Sequence, residues 1–572
     1  MNKSKIITHD LEKSFNGMGK PAIAPLDLTI ESGYVTGLLG PDGAGKTTLL
    51  RMFAGLLEAS KGNIHILGFD PIHDSAQLHE HLGYMPQKFG LYTDLSVQEN
   101  LDLYRDLRGV DKHVWPATCQ RLLEFTDLSS FTSRPAGKLS GGMKQKLGLA
   151  CTLVGRPKIL LLDEPGVGVD PISRRELWRM VHELADDGML IVWSTSYLDE
   201  AEQCQHILLM NEGELLFQGQ PEQLTCTIQG RSLLIDGGAK PRKRLQHVLE
   251  QDCVRDAVLQ GEQIRTIINE PQQQHYLANL LTLTHEQIHT TQARFEDAFI
   301  DKLGGQVNRH SELADILPVI PYQEQPAIEA INLTRRFGDF IATDHVNFTV
   351  QRGEIFGLLG PNGAGKSTTF RMMCGLLPIS SGEAHVLGMD LKHSPGKIRA
   401  RLGYMAQKFS LYGNLSIMQN LQFFSGAYGL RGHIQRERIA EMIETFQFGS
   451  ILNQAPDKLP LGFKQRLALA CALMHQPDIL FLDEPTSGVD PLTRREFWLH
   501  INGMVEKGVT VMVTTHFMDE AEYCDRIGLV FQGKLIAVDH PDILKKQVAR
   551  PDENIVTMED AFIRLIDAQR ES

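Results

Sequence analysis

With 572 residues, 42% of them hydrophobic and 22% charged, the chain has the make-up of an ordinary globular protein and enough length for about three to five compact units. Its formal net charge of −13 argues against a polyanionic partner such as DNA or RNA. The 8 cysteines are scattered without C-x-x-C or metal-ligand spacing and read as reduced thiols of a cytosolic protein. No apolar run approaches the ~20 residues of a membrane-spanning helix, and residues 1–10 are polar, unlike a secretory signal.

In chain order, strand-like segments and an aromatic, Phe15, lead to an apolar run, Val35–Leu39. It ends in Gly40-Pro41-Asp42-Gly43-Ala44-Gly45-Lys46-Thr47, followed by Thr48. This fits G-x-x-x-x-G-K-[ST], a P-loop. Its glycines let backbone N–H groups converge on phosphate oxygens, and the following helix adds its positive end. The lysine neutralises the outer phosphates, and a hydroxyl at Thr47 suits Mg²⁺. The alternative, a Gly-rich strand-to-helix turn with a chance lysine, fails because the motif occurs twice.

After the P-loop helix comes a short segment ending Gly83-Tyr84-Met85-Pro86-Gln87. Ser96-Val97-Gln98-Glu99 fits a capping box and predicts a helix start. The stretch to about Arg134 reads as a mainly helical insert. Next stand Leu139-Ser140-Gly141-Gly142 and the apolar run Ile159–Asp163, with Glu164 directly after it. Apolar runs that alternate with helical stretches predict a parallel sheet in an α/β domain. A carboxylate pair at such a strand's C-terminal end sits where these sheets bind ligands.

All of this occurs twice. Lys46 and Lys366 stand 320 positions apart, as do Gln87 and Gln407, and Asp163 and Asp483. The second copy supplies Phe337, then Gly360-Pro361-Asn362-Gly363-Ala364-Gly365-Lys366-Ser367 and Thr368. Gln407, a capping box at Ser416-Ile417-Met418-Gln419, a helical insert to about Ala455, Leu459-Pro460-Leu461-Gly462 and Asp483-Glu484 follow. Phe15 and Phe337 suit stacking on adenine or a place in the core, and spacing leaves both open.

Between the copies, the segments 232–236, 242–250, 254–260, 263–269, 273–281 and 287–292 alternate β-α-β-β-α-β, a ferredoxin-like order. The string Glu-Asp-Ala-Phe-Ile occurs at 296–300 and again at 559–563. Pro318, Pro321 and Pro326 mark a linker. The expected domains are a first α/β unit at 1–225, a small α+β accessory domain at 226–305, a linker at 306–326, a second α/β unit at 327–545 and a tail at 546–572.

The ordered set of P-loop, glutamine, L-S-G-G-type signature, strand ending Asp-Glu and Thr-Thr-His516 closely resembles ABC-type ATPases. The chain resembles tandem ATP-binding subunits of bacterial ABC-2-type multidrug exporters, over about residues 1–225 and 327–545. The resemblance implies ATP and Mg²⁺ as ligands, with no covalent cofactor. Thr47, Ser367, Asp163 and Asp483 would hold the metal, and Gln87 and Gln407 would contact it or the attacking water. Glu164 and Glu484 would be general bases, His516 would touch the γ-phosphate, and Asp170 and Asp490 would lie in loops crossing between halves. Ser140, Gly141, Gly142 and Gly462 would approach phosphate from the facing half.

The partners implied are two separate transmembrane permease subunits, which place the chain on the cytoplasmic face of the inner membrane. The segments from Lys88-Phe89 to Tyr92 and from Lys408-Phe409-Ser410 to Tyr412 offer aromatic contacts for them, or ordinary packing. An importer ATPase, or a soluble tandem protein acting on the ribosome, are rival readings. The latter carries a basic helical linker, whereas residues 222–324 here are acidic on balance.

Two departures from the family pattern stand out. Ser196 replaces the expected histidine in the first half, and Pro460-Leu461 replace Ser-Gly in the second. In the head-to-tail pairing of this family both defects fall into one site. The other site would join Lys366, Ser367, Asp483, Glu484 and His516 to Ser140-Gly141-Gly142. Independent loss would place both defects together about half the time by chance alone.

Overall fold

The computed structural model describes residues 4–15, 20–87, 90–305, 309–407, 411–515, 517–550 and 556–571. The chain divides into two compact units, one of residues 1–229 with 293–303, the other of residues 230–292 with 304–572.

The first unit is built on a six-stranded sheet in the order Leu82–Met85, Ile159–Asp163, Leu190–Thr195, Val35–Leu39, His206–Asn211, Glu214–Gly219. The first five are parallel and the last is antiparallel. Val35–Leu39, Ile159–Asp163 and Leu190–Thr195 are buried along their whole length. That burial on both faces is why their apolar residues run on without alternating. A three-stranded antiparallel sheet, Ile23–Glu31, Lys5–Lys13 and Lys61–Ile66, packs its inner residues Ile6, Leu28 and Ile64 into the same core as Leu38, Phe53 and Leu161. The helical insert contains Val97–Leu107 and Trp115–Phe125. Its start is fixed by the expected capping box, in which the Glu99 amide donates to Ser96 Oγ (3.2 Å) and the Ser96 amide to Glu99 Oε2 (2.7 Å).

The second unit repeats this plan. Its six-stranded sheet runs Leu402–Met405, Ile479–Asp483, Thr510–Thr515, Ile355–Leu359, Arg526–Phe531, Lys534–Asp539, and the matching capping box joins Ser416 to Gln419.

Residues 230–292 form a four-stranded antiparallel sheet ordered Val254–Gln260, Gln263–Ile268, Ser232–Asp236, Ile288–Thr290, with helices Pro241–Leu249 and Gln273–Leu280 in the crossovers. This is the ferredoxin-like order. The small domain packs on the second α/β core: Arg242 Nη2 lies 2.7 Å from Asp525 Oδ2, and Arg495 pairs with Asp256 at 3.6 Å, the latter two groups buried.

The segment 226–305 is therefore not one piece. Helix Phe295–Lys302 groups with the first unit and packs against Pro221–Cys226. Helix Met558–Glu571 does the same against Pro541–Val548 in the second, so the repeated Glu-Asp-Ala-Phe-Ile string marks equivalent helices. The expected linker 306–326 is also packed in part, with helix Glu312–Asp315 seated on Pro491–Glu506.

Candidate functional site

Each P-loop joins the end of the central strand to a helix, Lys46–Phe53 or Lys366–Met373. Gly45 and Gly365 precede these helices at φ 104° and 105°, where a Cβ would lie 2.7 Å from the Ala22 carbonyl oxygen and 2.3 Å from that of Ala342. Only glycine fits both constraints. Lys46 Nζ donates to the carbonyls of Gly40 (2.6 Å) and Pro41 (3.1 Å), and Lys366 repeats both bonds with Gly360 and Pro361 at the same distances. The lysines are thus folded back over the loop, with the ammonium held at its mouth.

The carboxylates meet this loop from the neighbouring strand. Thr47 Oγ1 donates to Asp163 Oδ1 at 3.2 Å and Ser367 Oγ to Asp483 Oδ1 at 3.3 Å. Gln87 Nε2 donates to Glu164 Oε2 (2.5 Å) and Gln407 Nε2 to Glu484 Oε2 (2.7 Å). In both halves the structure brings lysine, hydroxyl, aspartate, glutamate and glutamine together, although they are dispersed over more than a hundred residues. Lys46 Nζ lies 3.8 Å from Glu164 Oε1. Burial pushes the Asp163, Glu164 and Asp483 carboxyls above their usual range, with Lys46 opposing the effect at Glu164.

Asp163 Oδ2 and Asp483 Oδ2 are buried and accept no hydrogen bond among the described residues. A buried carboxylate oxygen without a donor, beside a Ser or Thr hydroxyl and a glutamine, is a donor set that fits a hard, oxygen-seeking cation such as Mg²⁺. Glu164 and Glu484 stand at φ 52° and 49°, a left-handed backbone that is uncommon for a non-glycine residue. The turn aims each carboxylate back past the strand end.

Phe15 and Phe337 are 39% and 47% exposed, which excludes a core role. Each ring instead carries a cation from its own strand, Lys13 Nζ at 5.2 Å and Arg335 at 4.6 Å from the ring centre. Ser140 caps helix Gly141–Leu153 by accepting from the Met143 amide at 3.2 Å. Gly142 touches the next helix so closely that a Cβ would fall 2.5 Å from Ser173. In the second half Pro460 occupies the cap of Leu461–Leu473 with no side-chain hydrogen bond, and Gly462 keeps its place beside Thr493. Asp170 and Asp490 cap helices Pro171–Asp186 and Pro491–Glu506. Ser196 is buried and its hydroxyl has no partner among the described residues. His516 lies outside the described residues, as do Lys88, Phe89, Lys408, Phe409 and Ser410. Tyr92 and Tyr412 are exposed.

Sequence reasoning missed three contributors. Thr514 Oγ1 donates to Asp483 Oδ1 (2.6 Å) and accepts from the Glu484 amide (3.0 Å), locking the pair together. Asp42 brings a like charge to Glu164 from inside the first P-loop, where the second loop has neutral Asn362. Glu520 takes hydroxyls from Thr486 and Thr515, while its counterpart Glu200 faces Gly166, and Glu200 Oε1 finds no donor among the described residues. Burial pushes the Glu200 carboxyl up to about 7. A position-by-position comparison of the halves, Asp42 with Asn362 and Gly166 with Thr486, carried the signal for the last two.

A family model described as ABC transporter matches residues 23–167 and 343–487. The chain is 66% identical over 568 residues to a probable multidrug ABC transporter ATP-binding protein of Escherichia coli, covering 99% of this chain and 98% of that one. It is 38% identical over 215 residues to a linearmycin resistance ATP-binding protein of Bacillus subtilis, covering 37% of this chain and 68% of the relative. A solved structure titled as the ATP binding subunit of an ABC transporter matches at 26% identity and TM-score 0.39, covering 42% of this chain and 99% of that one.

Proposed function

Because the chain belongs to the ABC transporter family and carries two ABC-type ATPase cores, we propose that it is the motor of an exporter, acting at the membrane through separate permease subunits. The observation that carries this reading is the duplicated cluster of P-loop lysine, hydroxyl, Asp-Glu pair and glutamine. Export of drug-like molecules is supported by the roles that the relatives' names carry, above all the one matched along both whole lengths. Among the described residues no helix is long and apolar enough to cross a membrane, which suits a motor that works through other subunits. Exposed Tyr92 and Tyr412 suit contact with them.

In this reading the P-loop amides and lysine hold the ATP phosphates, with Phe15 or Phe337 against the adenine. Ser367, Asp483 and Gln407, or Thr47, Asp163 and Gln87, would hold Mg²⁺, which supplies charge neutralisation along the phosphates. Glu484 takes a proton from water as the water oxygen bonds to the γ-phosphorus and the bond to the bridging oxygen breaks. Gln407 steers that carboxylate through its 2.7 Å hydrogen bond.

The halves are proposed to be unequal. The first has Ser196 in place of histidine and a like charge at Asp42, and the second half's signature has Pro460 and Leu461. Proline provides no N–H and leucine adds bulk where backbone should approach phosphate. In the head-to-tail pairing of the family these departures weaken one site and leave the other, built on Lys366 and Glu484 with Ser140, intact. Reconstitution tests the motor reading. Liposomes holding this chain alone should transport nothing, and adding its permease subunits should confer ATP-dependent efflux. Transport by the chain alone would refute it.

A further inference from the structure

The two halves differ in one groove remote from the P-loops. In the first unit a cavity of roughly 680 Å³, unfilled among the described residues, opens between the helical insert and the C-terminal end of helix Pro171–Asp186. Its floor is apolar: Leu122, Leu153 and Pro157 are buried, and Phe125, Leu184 and Met189 are only half-buried. Adding the 320-residue offset of the repeat finds the same groove in the second unit, where the chain itself fills it.

The occupant is the segment 311–320. Its short helix Glu312–Asp315 lies on Pro491–Glu506, with Ser311 and Ala314 against Gly503. Leu313 and Leu317 are buried. The Gln476 side-chain amide donates to the Ile316 carbonyl (3.2 Å), and the Ile320 amide donates to the Lys507 carbonyl (2.7 Å). Gln476, Gly503 and Lys507 correspond to Arg156, Glu183 and Asp187, all lining the open groove. Coverage shows in the burial of counterparts: Met504 and Val509 are 0% and 2% exposed, where Leu184 and Met189 remain half-open.

We infer that the open groove of the first half is a docking site for a short acidic and apolar segment of a partner protein other than a second copy of this chain, taken as the second half takes residues 311–320. The chemistry follows from the lining. Two aliphatic anchors match the floor, as Leu313 and Leu317 do in the filled groove. A donor at Arg156 and the carbonyl of residue 187 serve the guest's backbone. The lining carries both signs: Arg121, Arg156 and Lys158 stand where the second half has Glu441, Gln476 and Asp478, while Glu183 and Asp187 stand where it has Gly503 and Lys507. The three cations suit carboxylates such as Glu312 and Asp315 on the part of the guest that faces them. Glu183 replaces Gly503, so the close approach made by Ser311 and Ala314 is blocked and the guest sits slightly farther out. Glu183 itself turns to Arg179 (3.0 Å) on the solvent side.

A fluorescent peptide of residues 309–322 titrated into the full-length chain tests the assignment. Saturable binding is expected. Leu184→Asp or Met189→Asp, both at half-open positions, should weaken it at least ten-fold, and Arg156→Glu should also weaken it. Glu183→Gly, which restores the close approach, should tighten it. Unchanged melting curves and ATP binding identify folded variants. Absence of saturable binding, or binding indifferent to these changes, overturns the proposal. So does binding lost only on Met504→Asp, which would report exchange with the internal segment of the second half. A dimer of the full chain that disappears on Leu184→Asp would make a second copy the occupant and overturn it as well.

Discussion

Glu164 and Glu484 are the residues whose proposed roles follow most directly from type and place, each standing one position past a buried strand. Their left-handed φ and the two hydrogen bonds of Thr514, donated to Asp483 and accepted from the Glu484 amide, were not legible. Nothing in composition encodes a backbone angle forced by the strand-to-loop turn. Asp42 yields a direct test. Its charge stands in the loop that receives phosphate, so Asp42→Asn should tighten ATP binding by on the order of 1 kcal/mol, a several-fold lower Kd. Nucleotide titration of the Asp42→Asn chain checks this, and weaker binding would contradict it. Glu200 yields a pH test. Burial raises its carboxyl to about 7 in the folded chain, from the usual 4.5 of an exposed glutamate. Between these values the folded protein keeps a proton that the unfolded chain has lost, so stability falls as pH rises from about 4.5 to 7 and then levels. Glu200→Gln should therefore raise the melting temperature relative to the parent at pH 8 and hardly at all at pH 4.5. The opposite order would show that burial does not penalise the charge.

At the scale of elements, the capping boxes and apolar strands were legible because both rest on local chemistry: a hydroxyl facing an N3 amide, and a run too apolar for a sheet with a wet face. The small domain's β-α-β-β-α-β order was legible for the same reason. Its end was not, because helix Phe295–Lys302 follows directly in sequence and returns to the first unit through contacts that local pattern does not encode. The string repeated at 559–563 held the clue. The packed linker likewise escaped notice, since three prolines look alike in a free tether and in a segment laid along a groove. The signature helices permit a comparison. Ser140→Ala removes a cap bond and should lower stability by about 1 kcal/mol, with faster amide exchange at Met143. Pro460→Ala removes no hydrogen bond and should change exchange at Phe463 much less. Equal effects would mean that the Ser140 hydroxyl contributes nothing.

For the whole molecule, the duplication was plain from the constant offset of 320, and so was the repeated α/β plan with its clustered site. What separates the halves is a handful of substitutions acting on geometry: Ser196, Asp42, Gly166, Pro460 and Leu461. In the proposed function they leave one dominant hydrolytic site, built on the second P-loop. Phosphoryl transfer depends on positioned charge and donors around the γ-phosphate, so a site short of several such groups turns over slowly. The lysines make a poorer comparison, because losing either weakens ATP binding itself. Steady-state ATP hydrolysis by matched Glu484→Gln and Glu164→Gln chains, each assembled with its membrane partners, is the most direct test. Glu484→Gln should lower turnover by about 10²- to 10⁴-fold while ATP still binds, and Glu164→Gln should leave a substantial fraction. Equal losses in the two variants would contradict the claim.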